Sequence, residues 1–134
     1  MIVMVKNSPD TTVHILRQTW TTREDVRANR GVIFVYGDNV AREGQRGLAR
    51  QMRGEPNAHP ISISWGPFDP FTHASAEEAM AHIKQDLEAL QARSPKLIVW
   101  PLSGLVPEFL SLPEEIHHFL RVEAKKRFAL AAPV

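Results

Sequence analysis

The residues best placed to do chemistry fall in one stretch, Gly31 to Gly54, which reads GVIFVYGDNVAREGQRGLARQMRG. Asp38 stands in its polar break and Asn39 follows directly. A carboxylate beside an anomeric carbon can stabilise an oxocarbenium-like state or activate a water, which makes Asp38 a candidate for glycosidic chemistry. The Asn39 amide can orient a sugar hydroxyl, so these two are the candidate catalytic residues. Arg42, Arg46 and Arg50 follow, and a guanidinium can neutralise phosphate with two parallel hydrogen bonds. Solvated helix surface explains each arginine as readily. The stretch contains neither G-x-x-x-x-G-K-[ST] nor G-x-G-x-x-G, so neither of those phosphate loops is specified. A plain turn also accounts for Gly37-Asp38-Asn39.

The elements that must position these groups are legible around them. Val32 to Tyr36 is an unbroken β-branched and aromatic run, as in a central parallel strand buried on both faces. Gly37-Asp38-Asn39 interrupts it, and Gly44 and Gly47 permit close backbone approach to a ligand. Leu48 to Arg53 is a helix-forming series with Gly54 suited to the position after its end. A strand feeding a helix through such a loop gathers free N–H groups at one point and favours an anion there. Ligands in α/β sheets bind outside the carboxyl ends of the strands, where Asp38 and Asn39 fall.

Along the rest of the chain, Ile2 to Val5 and Val13 to Leu16 read as strands that could form a hairpin across the Asn7-Ser8-Pro9-Asp10 turn. Thr22 is suited to cap a short helix ending near Asn29 to Gly31, anchored only by Val26 and Ala28. Glu55 to Pro60 holds two prolines and is expected to be a loop. Ile61 to Trp65 alternates apolar and polar residues, as in a strand with Ser62 and Ser64 on a wet face. Gly66 to Phe71 reads as a second proline-rich loop, with Phe68 and Phe71 expected to anchor it against the core or, alternatively, to form part of a pocket wall. Ser75 to Glu78 has the form of a capping box opening a helix to about Arg93, its buried face set by Met80, Ile83, Leu87 and Leu90. Leu97 to Trp100 reads as another buried strand, followed by the loop Pro101 to Pro107. Ser111 to Glu114 has the form of a second capping box, and Ile116, Phe119, Leu120, Ala124 and Phe128 mark the buried face of the last helix. Lys125-Lys126-Arg127 suits the end of that helix, which explains the basic triplet without nucleic acid.

This order predicts one α/β domain over 1–134: a three-layer arrangement with a largely parallel mixed sheet, helices on both faces and an N-terminal antiparallel edge. The 134 residues carry 16 Lys and Arg against 15 Asp and Glu, a formal net charge of +1 that argues against a strong electrostatic grip on nucleic acid. The absence of cysteine excludes disulfides and thiolate catalysis. No apolar run approaches membrane-spanning length and no signal-like stretch opens the chain, so a cytoplasmic protein that does not enter the membrane is expected. The histidines, His14, His59, His73, His82, His117 and His118, show no metal-binding spacing, and no metal or cofactor is expected.

Tyr36-Gly37-Asp38-Asn39, then Gly44 and Gly47, then Arg53-Gly54-Glu55-Pro56-Asn57-Ala58 resemble the macro domain, and more closely the macro-like proteins of phages and bacteria. The later Pro101-Leu102-Ser103-Gly104-Leu105 is similar to the second phosphate-contacting loop of that family. The resemblance spans about Val32 to Leu120. It implies an ADP-ribose-like nucleotide as ligand, with Asn39 at the distal ribose and Gly44 and Gly47 along the ribose and diphosphate. Ser103 and Gly104 would close over the diphosphate from the other side. Together with the residue chemistry above, the candidate contact set is Gly37, Arg42, Gly44, Arg46, Gly47, Leu48, Ser103, Gly104 and Leu105. Asp38 and Asn39 are the candidate catalytic pair if the chain is an ADP-ribosyl glycohydrolase or related nucleotide hydrolase. The second loop departs from the pattern, carrying Val106-Pro107-Glu108 where a further glycine is usual, and the proline removes an N–H.

Two readings follow. In the first, the chain binds an ADP-ribose derivative and hydrolyses it if Asp38 is active. In the second, the fold persists as an inactive protein-interaction module, such as a phage-encoded modulator of a host protein. A single exposed patch of Trp20, Trp65, Phe68 and Phe71 would favour the second.

Overall fold

A computed structural model describes residues 13–134. The expected strand Ile2 to Val5 and the turn after it lie outside the described residues. The elements run β1 (His14–Gln18), α1 (Arg23–Ala28), β2 (Ile33–Asn39), α2 (Gly47–Met52), β3 (Ala58–Gly66), β4 (Asp69–Pro70), α3 (Ala76–Ala92), β5 (Leu97–Pro101) and α4 (Glu114–Phe128). They form one five-stranded sheet in the order β1-β5-β2-β3-β4. β1, β5, β2 and β3 are parallel, and β4 is antiparallel to β3. The expected α/β domain with a largely parallel mixed sheet is therefore present, and β2 and β5 are interior strands. β1 pairs in parallel with β5, from His14–Leu97 to Gln18–Pro101.

Apolar side chains divide between the two sheet faces. On one, Val35, Ile61, Ile63, Ile98 and Trp100 pack with Ile83, Leu87 and Leu90 of α3 and Ile116, Leu120, Ala124 and Phe128 of α4. On the other, Phe34, Tyr36, Ala58 and Val99 pack with Val26 of α1 and Ala49 and Met52 of α2. Alternate residues of β2 thus feed opposite cores, which is why its sequence is apolar throughout. Val26 is fully buried and anchors α1 despite the few apolar residues around it. No helix among the described residues is long and apolar enough to cross a membrane.

Several local expectations are corrected. β2 does not break at Gly37 but continues through Asn39. β3 starts at Ala58 and includes Pro60. The Ser62 N–H points away from β2 toward Asp86, so the nitrogen of Pro60, two residues earlier, faces the same unpaired side, where it needs no hydrogen. Ser62 and Ser64 are buried, not wet. Asp86 of α3 covers that edge, accepting from the Ser62 N–H at 2.7 Å and its hydroxyl at 2.6 Å. The Asp69–Pro70 segment, expected to be loop, pairs with β3 at Ser64 and Gly66. Neither later capping box forms at its helix. Ser75 makes no side-chain cap bond to α3 and instead closes a 3-10 turn (His73–Ser75) with Thr72. Pro113 caps α4, again without a side-chain bond. The Thr22 cap does form, with Asp25 reciprocating.

Candidate functional site

β2 and β5 pair only at Ile33–Ile98 and Phe34–Val99. Beyond that point their continuations leave to opposite faces, β2 toward α2 and β5 toward α4. This is a switch point of the kind at which α/β sheets hold ligands. A cavity of about 960 Å³ opens there. It is lined from the carboxyl ends of all four parallel strands: Thr19 and Trp20 after β1, Gly37 to Asn39 of β2, Ser64 and Gly66 of β3, and Pro101 with its following loop after β5. Of the sequence-derived residues, Gly37, Asp38, Asn39, Gly44, Arg46, Gly47, Leu48, Ser103, Gly104 and Leu105 all line it. Val106, Pro107 and Arg46 form its walls rather than filling the space between the loops.

Arg42 is the residue of that set that does not line the cavity. Its guanidinium donates to the Asn39 carbonyl at 3.1 Å and to Asp86 at 3.1 Å, which ties the loop after β2 to α3. Arg50 is likewise absent from the lining.

Asp38 and Asn39 are brought to the cavity, but their polar atoms are engaged by the protein. Both oxygens of Asp38 accept from Arg53, Nε to Oδ2 at 3.0 Å and Nη2 to Oδ1 at 2.6 Å. The Asn39 N–H also donates to Asp38 Oδ1, at 2.8 Å. The Asp38 side chain is 1% exposed. Asn39 closes its own loop, its Nδ2 donating to the Glu43 carbonyl and its Oδ1 accepting from the Glu43 N–H. Arg53 donates to the carbonyl oxygens of Gly44 and Glu43 as well. Asp38 and Asn39 therefore work as struts that set the shape of the 39–44 loop. The partnership raises the Arg53 pKa, chiefly through its hydrogen bonds to Asp38. Burial, reinforced by the Asp38 carboxylate, pushes the Tyr36 phenol up to about 12.

Gly37 is required by close packing. A Cβ there would lie 2.4 Å from the Leu105 carbonyl oxygen, so the loop after β5 sits directly on β2. Gly44, Gly47 and Gly104 adopt left-handed backbone, with φ of 95°, 56° and 96°. In the second loop the N–H groups of Gly104 and Leu105 are taken by the carbonyl of Pro101 and the backbone oxygen of Val134. Ser103 stays exposed and is the polar side chain that loop offers. In the first loop, among the described residues, nothing accepts from the N–H groups of Gly44, Gln45 or Arg46. The Arg46 guanidinium lies 5.1 Å from the Phe68 ring centre and has no carboxylate partner among the described residues.

The Arg53-to-Ala58 block, part of the resemblance to macro-like proteins, is a structural hub. Arg53 braces the first loop. Glu55, its side chain 5% exposed, pairs with Arg23, Arg27 and Arg30, and the Arg23 bond foremost draws its pKa down to about 2. The Asn57 amide donates to the carbonyls of Val26, Asn29 and Val32, closing the turn between α1 and β2.

The aromatics divide otherwise than expected. Phe71 is buried edge-on against Trp65, ring centres 4.9 Å apart, so the patch of Trp20, Trp65, Phe68 and Phe71 does not form. Phe68 does not anchor its loop but takes the alternative place in the cavity wall, where with Trp20 and Phe109 it stands exposed. The sequence does not single out Phe109, and it marks Arg53 without its pairing to Asp38. His59, remote from the cavity, is held between Arg93 and the Asp86 carbonyl, and its burial lowers its pKa.

No curated protein and no solved structure matches the chain. Residues 16–121, from within β1 to the middle of α4, match a family of unknown function (DUF7831), and the chain belongs to that family.

Proposed function

We propose that the chain binds ADP-ribose or a closely related nucleotide diphosphate in the crevice between the carboxyl ends of β2 and β5. One observation carries the reading: a braced, glycine-containing loop brings the uncommitted N–H groups of Gly44 to Arg46, and the carboxylate-free guanidinium of Arg46, to a cavity of about 960 Å³. N–H groups on a loop with left-handed glycines suit an anion, and a guanidinium adds a charge-assisted bond. A pocket of this volume is at the upper end of the range that takes small ligands. The Gly37-Asp38-Asn39 resemblance to macro-like proteins supports a ribose next to the diphosphate. Asp38, with both oxygens on Arg53, is a support of the site, so the reading is binding without hydrolysis through Asp38.

Calorimetric titration with ADP-ribose tests this. Saturable binding is expected, weakened roughly tenfold in Arg46→Ala, the loss of about one hydrogen bond to a charged group. No heat on titration, together with unchanged thermal stability in ADP-ribose, would overturn it.

A further inference from the structure

The cavity mouth carries residues that the diphosphate contacts proposed above do not use. Trp20, Phe68 and Phe109 line it at 51%, 81% and 76% exposure. Large aromatic rings left in water at one opening mark a surface that something covers. Glu43, Asp69 and Glu108 line the same cavity. None of the three has an ion-pair or hydrogen-bond partner for its carboxylate among the described residues, whereas Asp38, Glu55, Asp86 and Glu123 are all paired with arginine. Among the described residues lining the cavity, Arg46 is the one cation without an ion-pair partner, because Arg53 is neutralised by Asp38. The chain as a whole is +1, so this opening is locally inverted in charge.

Aromatic faces attract a guanidinium or ammonium through the ring quadrupole, and free carboxylates add Coulomb attraction and hydrogen bonds. Single-stranded nucleic acid also stacks on exposed rings, but it needs a positive groove for its backbone, and the mouth is acidic. Charge complementarity thus selects among the occupants. We infer that the mouth docks a basic segment of a partner polypeptide, with arginine or lysine side chains over Trp20 and Phe109 and against Asp69 and Glu108. This goes beyond the nucleotide reading and rests on other residues.

The test uses the full chain without nucleotide, so it stands or falls apart from ADP-ribose binding. Fluorescence anisotropy would follow a labelled arginine–glycine peptide, its glutamate–glycine counterpart and a short oligothymidylate. The basic peptide should bind saturably and more weakly as salt rises. Combined Asp69→Asn and Glu108→Gln should weaken it at least about fivefold, as expected for two exposed charge pairs. Trp20→Ala, at an exposed position, should weaken it by a similar factor with the circular dichroism spectrum unchanged. Absence of saturable binding, equal binding by these variants, or tighter binding of the acidic peptide or the oligothymidylate would overturn the proposal.

Discussion

Arg53, at the end of α2, grips Asp38, at the end of β2, through two hydrogen bonds of 3.0 and 2.6 Å, while also holding the carbonyl oxygens of Glu43 and Gly44. The pair is intramolecular bracing placed where a catalytic carboxylate was expected. Removing one member leaves a charge in a buried position without its partner. Arg53→Ala should therefore cost about 3–5 kcal/mol, the usual loss on breaking a buried pair. Arg53→Lys should restore only part of it, since an ammonium cannot make the two-point contact. Urea unfolding measures both, and a cost under about 1 kcal/mol for Arg53→Ala would contradict the bracing role.

Glu55 sets an acid limit on stability. Its folded pKa, about 2, lies below the ordinary 4.5, because Arg23, Arg30 and Arg27 bind the ionised form. The unfolded chain therefore takes up a proton at Glu55 before the folded chain does. The contribution is complete above about pH 4.5 and is lost as pH falls toward 2. Denaturation midpoints should fall across that window. In Glu55→Gln the fall should be shallower, from a lower starting stability at neutral pH. An unchanged slope in the variant would show that Glu55 does not drive it.

Leu87 of α3 and Leu120 of α4 belong to the same buried core, both without solvent exposure. Either Leu→Ala change should cost about 2–5 kcal/mol through lost burial and the cavity left behind. Chemical denaturation checks this, and a loss under about 0.5 kcal/mol would mean that the site collapses or was loosely packed.

Where the sequence was legible, the reason is that one element's pattern determined its environment. The run at Val32 to Tyr36 and the stripe through Ile83, Leu87 and Leu90 each report their own burial, and both lie as expected. Where it was not, a distant residue decided the outcome. Ser62 reads as solvent-facing until Asp86, 24 residues on, covers the sheet edge. Asp38 reads as a free acid until Arg53 arrives from the far end of α2. Phe68 and Phe71 look alike in the sequence, yet one packs on Trp65 and the other faces the cavity, because the β4 turn places them apart. The strand-end loop was found because glycines and a strand terminus are local signals. The roles of its polar side chains depend on long-range partners, and local signals do not carry those.

On the proposed reading, the crevice beside Gly37, Gly44, Gly47 and Gly104 receives a nucleotide diphosphate. Titrating ADP-ribose into the isotope-labelled protein and following its backbone amide resonances tests this most directly. Saturable shifts are expected, largest for Gly44, Gln45, Arg46 and Gly47 and smaller for Gly37 and Gly104, with Glu55 and the residues of α4 unmoved. Resonances that do not respond, or responses concentrated away from these loops, would contradict it.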